Sequence, residues 1–588
     1  MAQNGMKEEI ARRFGEEVAS DSKLVDECIS MCQIYNLTPE QLQFKWEAAT
    51  YSAMPSRAHE AARFTQSSLA DVKAQIIRER SQNGVRKGQI RNVAGAATVN
   101  RSKMPQFMSR NNRIVMGTSS PQIKTEVTGG TDFSNVAGPS KVVFRGPKMD
   151  ASSRKKRGYR YMYEKPSERS EVLGDRIDEI GELVREHYGL SELGDPSAAT
   201  DEDIFVVGRI THDVEAAESS QKLTESTLTL ESSRMLSAGA RVTLRFDSNL
   251  KIRGGARGAG ALSLFPGAIV CFKGRNGGGG WFLVNEILAL PPTKGSSASP
   301  KAEPDASDSS FSMSICSGPY TPHSDLKYKP WQSLQRTLQT SKPSVILLTG
   351  PFVESSHPLI EAGDTDETPL GLFHRVFLDP LCLLLDTSPG SIAILVPSVQ
   401  DIISSHAVFP QREFGLEVTR ADPRIHLVPN PAKFSINGVT FASTSVDVLF
   451  HLRKEEIVKR GEEVDSVAPV IAEDTGSDSM ANLCRNLLQQ RSFYPIFPVP
   501  PEVSSEVNLD VTHSEGVKMV EDEDNDYAPD VLILPSKFKQ FTKHVHSTLV
   551  VNPSSATKAV YGTLHLEAGA SRALKERLKA EVVKIQGD

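Results

Sequence analysis

The chain has 588 residues, enough for several domains with separate cores. Its hydrophobic fraction of 39% is low for a wholly globular protein. The net charge of -6 hides a segregation, because residues 81–170 carry 18 Lys/Arg against 5 Asp/Glu. No apolar run approaches the ~20 residues needed to span a bilayer, and the start Met1-Ala-Gln-Asn-Gly-Met-Lys lacks an apolar signal region. A soluble intracellular protein with no membrane partner is expected. The cysteines Cys28, Cys32, Cys271, Cys316, Cys382 and Cys484 form no C-x-x-C pair, which argues against structural zinc and fits a reducing compartment.

Residues 1–80 read as a small all-α interaction domain. Leu24, Val25, Cys28, Ile29 and Cys32 recur at helical spacing. Thr38, Pro39 and Gln41 make a helix start, and Leu37 and Leu42 suit a hydrophobic staple. Leu69, Val72 and Ile76 suggest a further helix. Residues 81–165 read as a flexible basic linker, rich in Asn, Gly, Ser, Arg and Lys without apolar periodicity. Such a segment serves as a solvated tether, with a root-mean-square reach of about 50 Å as a random coil, or as a weak phosphate-backbone contact. Within it, Arg154-Lys155-Lys156-Arg157 is a candidate nuclear localisation run, and Ser120-Pro121 a candidate phosphorylation site.

Residues 166–200 form a helical lead-in with Val172, Ile177, Ile180, Leu183, Val184 and Tyr188 on one face. Residues 201–292 carry β-branched and aromatic runs at Ile204–Ile210, Ser226–Leu230, Ala240–Phe246, Ala268–Lys273 and Trp281–Leu288, the pattern of a small barrel. The glycine-rich stretches 254–260 and 277–280 precede no Gly-Lys-Ser/Thr and read as mobile turns. Residues 293–310 form a Pro/Ser-rich linker. Residues 311–588 alternate strand-like and helical runs, as a layered α/β domain does.

Several phrases carry a resemblance. Gly350-Pro351-Phe352-Val353-Glu354 and Leu264-Phe265-Pro266-Gly267-Ala268-Ile269-Val270 resemble the B subunits of replicative DNA polymerases. The run from Asn430-Pro431 through Ser443-Thr444-Ser445-Val446-Asp447 is most similar to those of the DNA polymerase alpha–primase complex. Tyr494-Pro495, Pro529-Asp530 and Val551-Asn552-Pro553 follow in order. The resemblance implies an OB-fold β-barrel on a calcineurin-like phosphoesterase domain lacking its metal ligands. It further implies a non-catalytic nuclear scaffold bound to the C-terminal region of the polymerase catalytic subunit, assembled with the small and large primase subunits for RNA–DNA primer synthesis. Contact with DNA would be mainly indirect, and other replication factors would bind the N-terminal domain.

The residues themselves speak against two-metal chemistry, which needs clustered Asp, Asn and His. Where such loops carry ligands, this chain has Gly318 and Pro319, then Gly350 and Pro351 with Glu354, then Pro397 and Asp401. His323, His357, His406 and His426 are scattered and suit surface or loop roles. No cofactor is expected. The barrel offers Arg253, Arg257, Lys273, Arg275 and Trp281 as candidate nucleic-acid contacts, though few aromatics interleave with the basic residues. The alternatives to a scaffold are a metal-dependent phosphodiesterase and a single-strand-binding OB protein.

Overall fold

The computed structural model describes scattered residues between 10 and 69, then 142–158, 165–212, 222–295, 310–471, 474, 476–520, 526–569 and 572–585. The chain divides into two compact units, Met1–Glu126 and Val127–Asp588. In the first, helix α1 (Ser22–Tyr35) buries Leu24, Val25, Cys28, Ile29, Met31 and Cys32. They share a core with Ile10, Val18, Leu42, Phe64 and Leu69. Phe14 packs on Phe64 at 4.4 Å, and Trp46 meets Phe64 edge-on at 5.3 Å. Residues 81–141, including Ser120, lie outside the described residues, as does most of the 293–310 linker.

The second unit begins inside the stretch expected as linker, and there the expectation is corrected. Strand β1 (Phe144–Arg145) pairs antiparallel with a strand of the α/β domain. Helix α2 (Ala151–Arg157) follows, capped by Asp150, which accepts the Ser153 N–H at 2.9 Å. Helix α3 (Pro166–Tyr188) starts on a proline at its first turn and ends at Gly189, whose φ of 63° lets its N–H reach the last carbonyls. Ile177, Ile180 and Val184 on α3 pack against Val207, Ile269, Cys271 and Leu288 of the barrel.

The strands of the barrel region are β2 (Ile204–His212), β3 (Leu228–Glu231), β4 (Arg241–Arg253), β5 (Ala261–Leu264), β6 (Ile269–Arg275) and β7 (Trp281–Leu288). β2 pairs with β3 and β6, β3 with β4, and β6 with β7, all antiparallel; β4 and β7 then close the ring in parallel. Closure covers most of the edges that an open sheet would expose, but β3 pairs with β4 only at residues 241–243, so beyond them the barrel's own strands leave one side of β4 open. Strand β8 (Lys294–Gly295) follows.

In the α/β domain, β9 (Phe311–Ser317), β10 (Val345–Thr349), β11 (Ile392–Val396) and β12 (Ile425–Leu427) run parallel. Helix α4 (Lys329–Ser341) lies between the first two and α5 (Asp379–Thr387) before the third. A hairpin of β13 (Ala432–Ile436) and β14 (Val439–Ser443) starts a second sheet. After α6 (Val448–Glu455) come β15 (Ile457–Arg460) and β16 (Glu462–Val464), then α7 (Ser479–Gln489). The remaining strands are β17 (Tyr527–Ala528), β18 (Val531–Ile533), β19 (Phe541–Val545), β20 (Thr548–Asn552), β21 (Val560–Leu566) and β22 (Leu578–Lys584). The first sheet runs β12-β11-β10-β9-β21-β22 and the second β1-β13-β14-β18-β20-β19.

Strand periodicity decides the layering. Val345 and Leu347 of β10 share a core with Phe434, Phe441, Val531 and Ile533 of the second sheet. Their neighbours Ile346 and Leu348 point the other way, into a cluster with Trp331, Leu334 and Leu381 of the helices. On the far side of the second sheet, Ala442, Leu532 and Val550 share a core with Val206, Leu264 and Phe282 of the barrel. The order is therefore helices, sheet, sheet, then the barrel together with α6 and α7, whose Leu449, Leu452, Leu483 and Leu487 lie in the same core. Each fully buried large aliphatic or aromatic side chain contributes about 1.5–3 kcal/mol.

β16 pairs with β4 and extends the barrel sheet, while β15 and β5 form a separate two-stranded sheet beside it. The glycine-rich stretch 254–260, expected as a mobile turn, is pinned by β16. Gly258 and Gly260 donate their N–H groups to the Glu463 carboxylate at 3.2 and 2.6 Å.

Candidate functional site

The ends of β9, β10 and β11 converge, which is where an open parallel sheet usually holds its ligand. In this chain the crevice is filled by the protein itself. Gly318 donates its N–H to Thr349 O at 2.9 Å, and Gly350 to Val396 O at 2.9 Å. A Cβ on Gly318 would collide with Pro351 O, and one on Gly350 with the Asp401 carboxylate, so only glycine permits this approach. The peptides Gly318-Pro319 and Gly350-Pro351 are both cis. Tyr320 is buried, with its hydroxyl 3.0 Å from Thr349 O, and its ring stacks on Phe352 at 5.6 Å. The Tyr328 hydroxyl donates to Phe352 O at 2.9 Å, while Trp331 stacks on Phe377 at 4.2 Å.

Asp401 sits at the centre and is 3% exposed. One oxygen accepts the N–H groups of Phe352 and, at 3.1 Å, Val353; the other accepts that of Ser398 at 2.9 Å. Burial raises its pKa to about 7, against the downward pull of these backbone N–H groups. Glu354 turns to the rim, its carboxylate 3.2 Å from Nε2 of exposed His323. Among the described residues, no group of three His, Cys, Asp or Glu side chains is arranged to hold a metal ion. Pro397 O accepts the Ser445 hydroxyl at 2.9 Å.

One of the four histidines, His426, departs from the surface or loop roles expected of them, while His357 keeps a loop position but is buried. The His357 Nδ1 accepts the Leu359 N–H at 3.3 Å, and its Nε2 lies 3.1 Å from Pro322 O. His426 lies on β12 and stacks on Phe144 at 4.3 Å, and burial lowers its pKa to about 4.

The barrel candidates have separate partners. Arg253 donates to Glu286 at 2.6 Å and pairs with Asp465. Lys273 lies 5.4 Å above the Phe205 ring, and Arg245 covers Trp281 at 4.5 Å. The Arg257 backbone N–H donates to Val467 O at 3.0 Å. Arg275 is exposed at the end of β6. Of the five, Arg253 and Lys273 share a neighbour: Glu286 stands opposite Lys273 in the β6–β7 ladder.

The basic run is engaged as well. Arg154 Nε donates to Glu413 at 3.1 Å, and Arg157 donates to both Glu413 oxygens at 2.9 and 3.0 Å. The Glu413 side chain is completely buried. Burial pushes its carboxyl up, and the hydrogen bonds from Arg157 and Arg154 outweigh that, leaving it below the ordinary range. Glu413 carries no sequence signal of its own; nothing in the Gln411-Arg412-Glu413-Phe414 context marks a buried acid.

A family profile described as the B subunit of DNA polymerase alpha/epsilon matches residues 313–543. Another, described as the OB domain of the DNA polymerase alpha B subunit, matches residues 170–290. The DNA polymerase alpha B subunit of Schizosaccharomyces pombe is 30% identical over 568 residues, covering 92% of each chain. The chain belongs to the family of DNA polymerase alpha B subunits. The Saccharomyces cerevisiae member is 30% identical over 69% of this chain and 59% of its own. The Rattus norvegicus member is 27% identical over 69% and 60%. A solved structure from Thermus thermophilus matches 47% of this chain at 13% identity with a TM-score of 0.23, too low to assign a fold.

As a polymerase alpha B subunit, the chain is an accessory protein acting in DNA replication, and not the catalytic one. The closed barrel is its OB domain. The phrase Leu264–Val270 owes its form to Gly267, whose φ is 94° and whose Cβ would strike the backbone of Pro495 and Phe497.

Proposed function

We propose that the chain is the non-catalytic scaffold of a nuclear primer-synthesising assembly. Its barrel and α/β domain bind the C-terminal region of the polymerase alpha catalytic subunit, and the small and large primase subunits join through the complex. The α/β domain is a calcineurin-like phosphoesterase fold whose ligand crevice has become packing. The N-terminal helical unit recruits other replication factors by raising their local concentration. The observation that carries this reading is the crevice itself, where Asp401 is occupied by three backbone N–H groups and the space is filled by Tyr320, Phe352 and Trp331.

Co-expression of residues 142–588 with the C-terminal region of the catalytic subunit, followed by size-exclusion chromatography with mass determination, tests it. A one-to-one complex is expected. Two separate folded proteins would overturn the reading and return attention to metal-dependent phosphodiesterase or single-strand-binding activity.

A further inference from the structure

The run Arg154-Lys155-Lys156-Arg157 lies on α2, and its two ends lead separate lives from its middle. Arg154 and Arg157, three residues apart, face the same side and grip Glu413. Lys155 and Lys156 are exposed. No residue of α2 is buried, so the helix is held by these arginines and by its flanks. On the upstream flank, the Val143 N–H donates to Asn437 Oδ1 at 2.8 Å and β1 lies on the edge of β13. The attachment is a short strand, whose Phe144 stacks on His426 at 4.3 Å and packs on Phe434, plus one buried carboxylate.

A receptor that reads a short basic run in an acidic peptide groove needs consecutive side chains splayed from an extended backbone. Neither requirement is met while α2 is helical and its outer arginines sit on Glu413. Nucleic acid makes a different demand, since Lys155 and Lys156 already present their charge without any release. We propose that docking on Glu413 masks the basic run, so that a nuclear-import receptor with an acidic peptide groove binds this chain only after residues 142–158 leave the sheet edge. This rests on the nuclear location proposed above.

The test uses the full-length chain and a purified import adaptor whose acidic groove is open. Glu413→Gln weakens the carboxylate latch. Val143→Pro independently removes the N–H donated to Asn437 and leaves Glu413 intact. Hydrogen exchange across 142–158 reports release, and a synthetic peptide of residues 148–160 serves as the unmasked reference. Wild-type protein is expected to bind the adaptor at least about tenfold more weakly than the peptide, because apparent affinity falls with the fraction of competent chains. Both variants should show faster exchange and recover most of that affinity.

Wild-type binding as tight as the peptide, released variants with unchanged affinity, or no release in either variant would each overturn the mask. Released variants that gain single-stranded DNA binding and not adaptor binding would overturn it in favour of a phosphate partner. The location reading is tested apart from it, by following the full-length chain in cells. Nuclear accumulation that survives alanine at all four basic positions would overturn the mask and leave the location standing. Exclusion of the wild-type chain from the nucleus would overturn the location itself.

Discussion

Asp401 accepts the backbone N–H of Val353 at 3.1 Å, joining the loop after β11 to the loop after β10. The same carboxylate holds Phe352 and Ser398, so three buried donors depend on one side chain. Asp401→Asn would keep one acceptor oxygen but turn an amide N–H toward the Ser398 N–H. A loss of about 1–3 kcal/mol is expected for leaving a buried donor unsatisfied, and Asp401→Ala should cost more. Urea denaturation at neutral pH measures both; an unchanged midpoint for Asp401→Ala would mean that the two loops hold together without this carboxylate.

The same residue gives a pH dependence. Its folded pKa of about 7 lies above the ordinary 3.8, so the folded chain binds this proton more tightly than the unfolded one. The resulting stability is fully present below the ordinary value and is lost as pH rises through about 7. Between pH 5 and pH 8, wild-type stability should therefore decline more steeply than that of Asp401→Asn, as followed by denaturation at each pH. Parallel curves would show that the backbone donors keep the carboxylate ionised throughout.

Much of this region is legible in sequence because its determinants are local. The apolar runs of β9, β10 and β11 are short and bounded by Gly-Pro or Pro, and each became a buried parallel strand. Position 401 is equally visible as a lone acid, but its task is not, since Phe352 and Val353 lie 49 and 48 residues away. Glu413 is further out of reach, its arginine partners standing 256 and 259 residues upstream. Composition alone assigned residues 142–158 to a linker, and it carries no trace of a long-range ion pair that orders them. β15 and β16 are likewise short, and become strands where β5 and β4 offer them edges.

Truncation should expose the worth of residues 142–158. A chain starting at 166 lacks Arg154 and Arg157 and leaves the buried Glu413 without its cations. Breaking a buried ion pair by removing one side costs about 3–5 kcal/mol. Residues 142–588 should therefore be more stable than residues 166–588 by at least about 2 kcal/mol after relaxation, read from urea midpoints. Because the Glu413 pKa is depressed in the folded chain, its contribution is present above the ordinary carboxylate value and is lost as pH falls through the folded one. The stability gap should accordingly narrow in acid.

Gly267 predicts a contrast between two glycines. Both Gly267 and Gly280 have positive φ, at 94° and 75°. Alanine at either position must adopt a left-handed backbone, at a cost of about 1–2 kcal/mol. At Gly280 nothing lies within 4 Å of the added Cβ, whereas at Gly267 it meets backbone atoms of Pro495 and Phe497 that cannot swing aside. Gly267→Ala should thus be the more destabilising by at least about 1 kcal/mol. It should also loosen the barrel from the 495–497 segment, seen as faster exchange of the Phe497 N–H that donates to Pro266 O at 3.0 Å. Equal costs would mean that this contact is soft.

The barrel's charges decide what it can do with a single strand. Stacking a base on Trp281 would first require moving the Arg245 guanidinium that covers it at 4.5 Å. Arg253 is already committed to Glu286 and Asp465, so it offers little charge to a phosphate. A working aromatic platform loses about 1–3 kcal/mol per base on alanine substitution. In residues 142–588, Trp281→Ala should instead change single-stranded DNA affinity by less than about twofold, measured by fluorescence anisotropy across a salt series. Any binding by the full chain should fall sharply with salt and disappear with residues 81–141, because phosphate contacts by a basic arm release counterions in proportion to their number. A tenfold loss for Trp281→Ala would establish the barrel as a nucleic-acid groove.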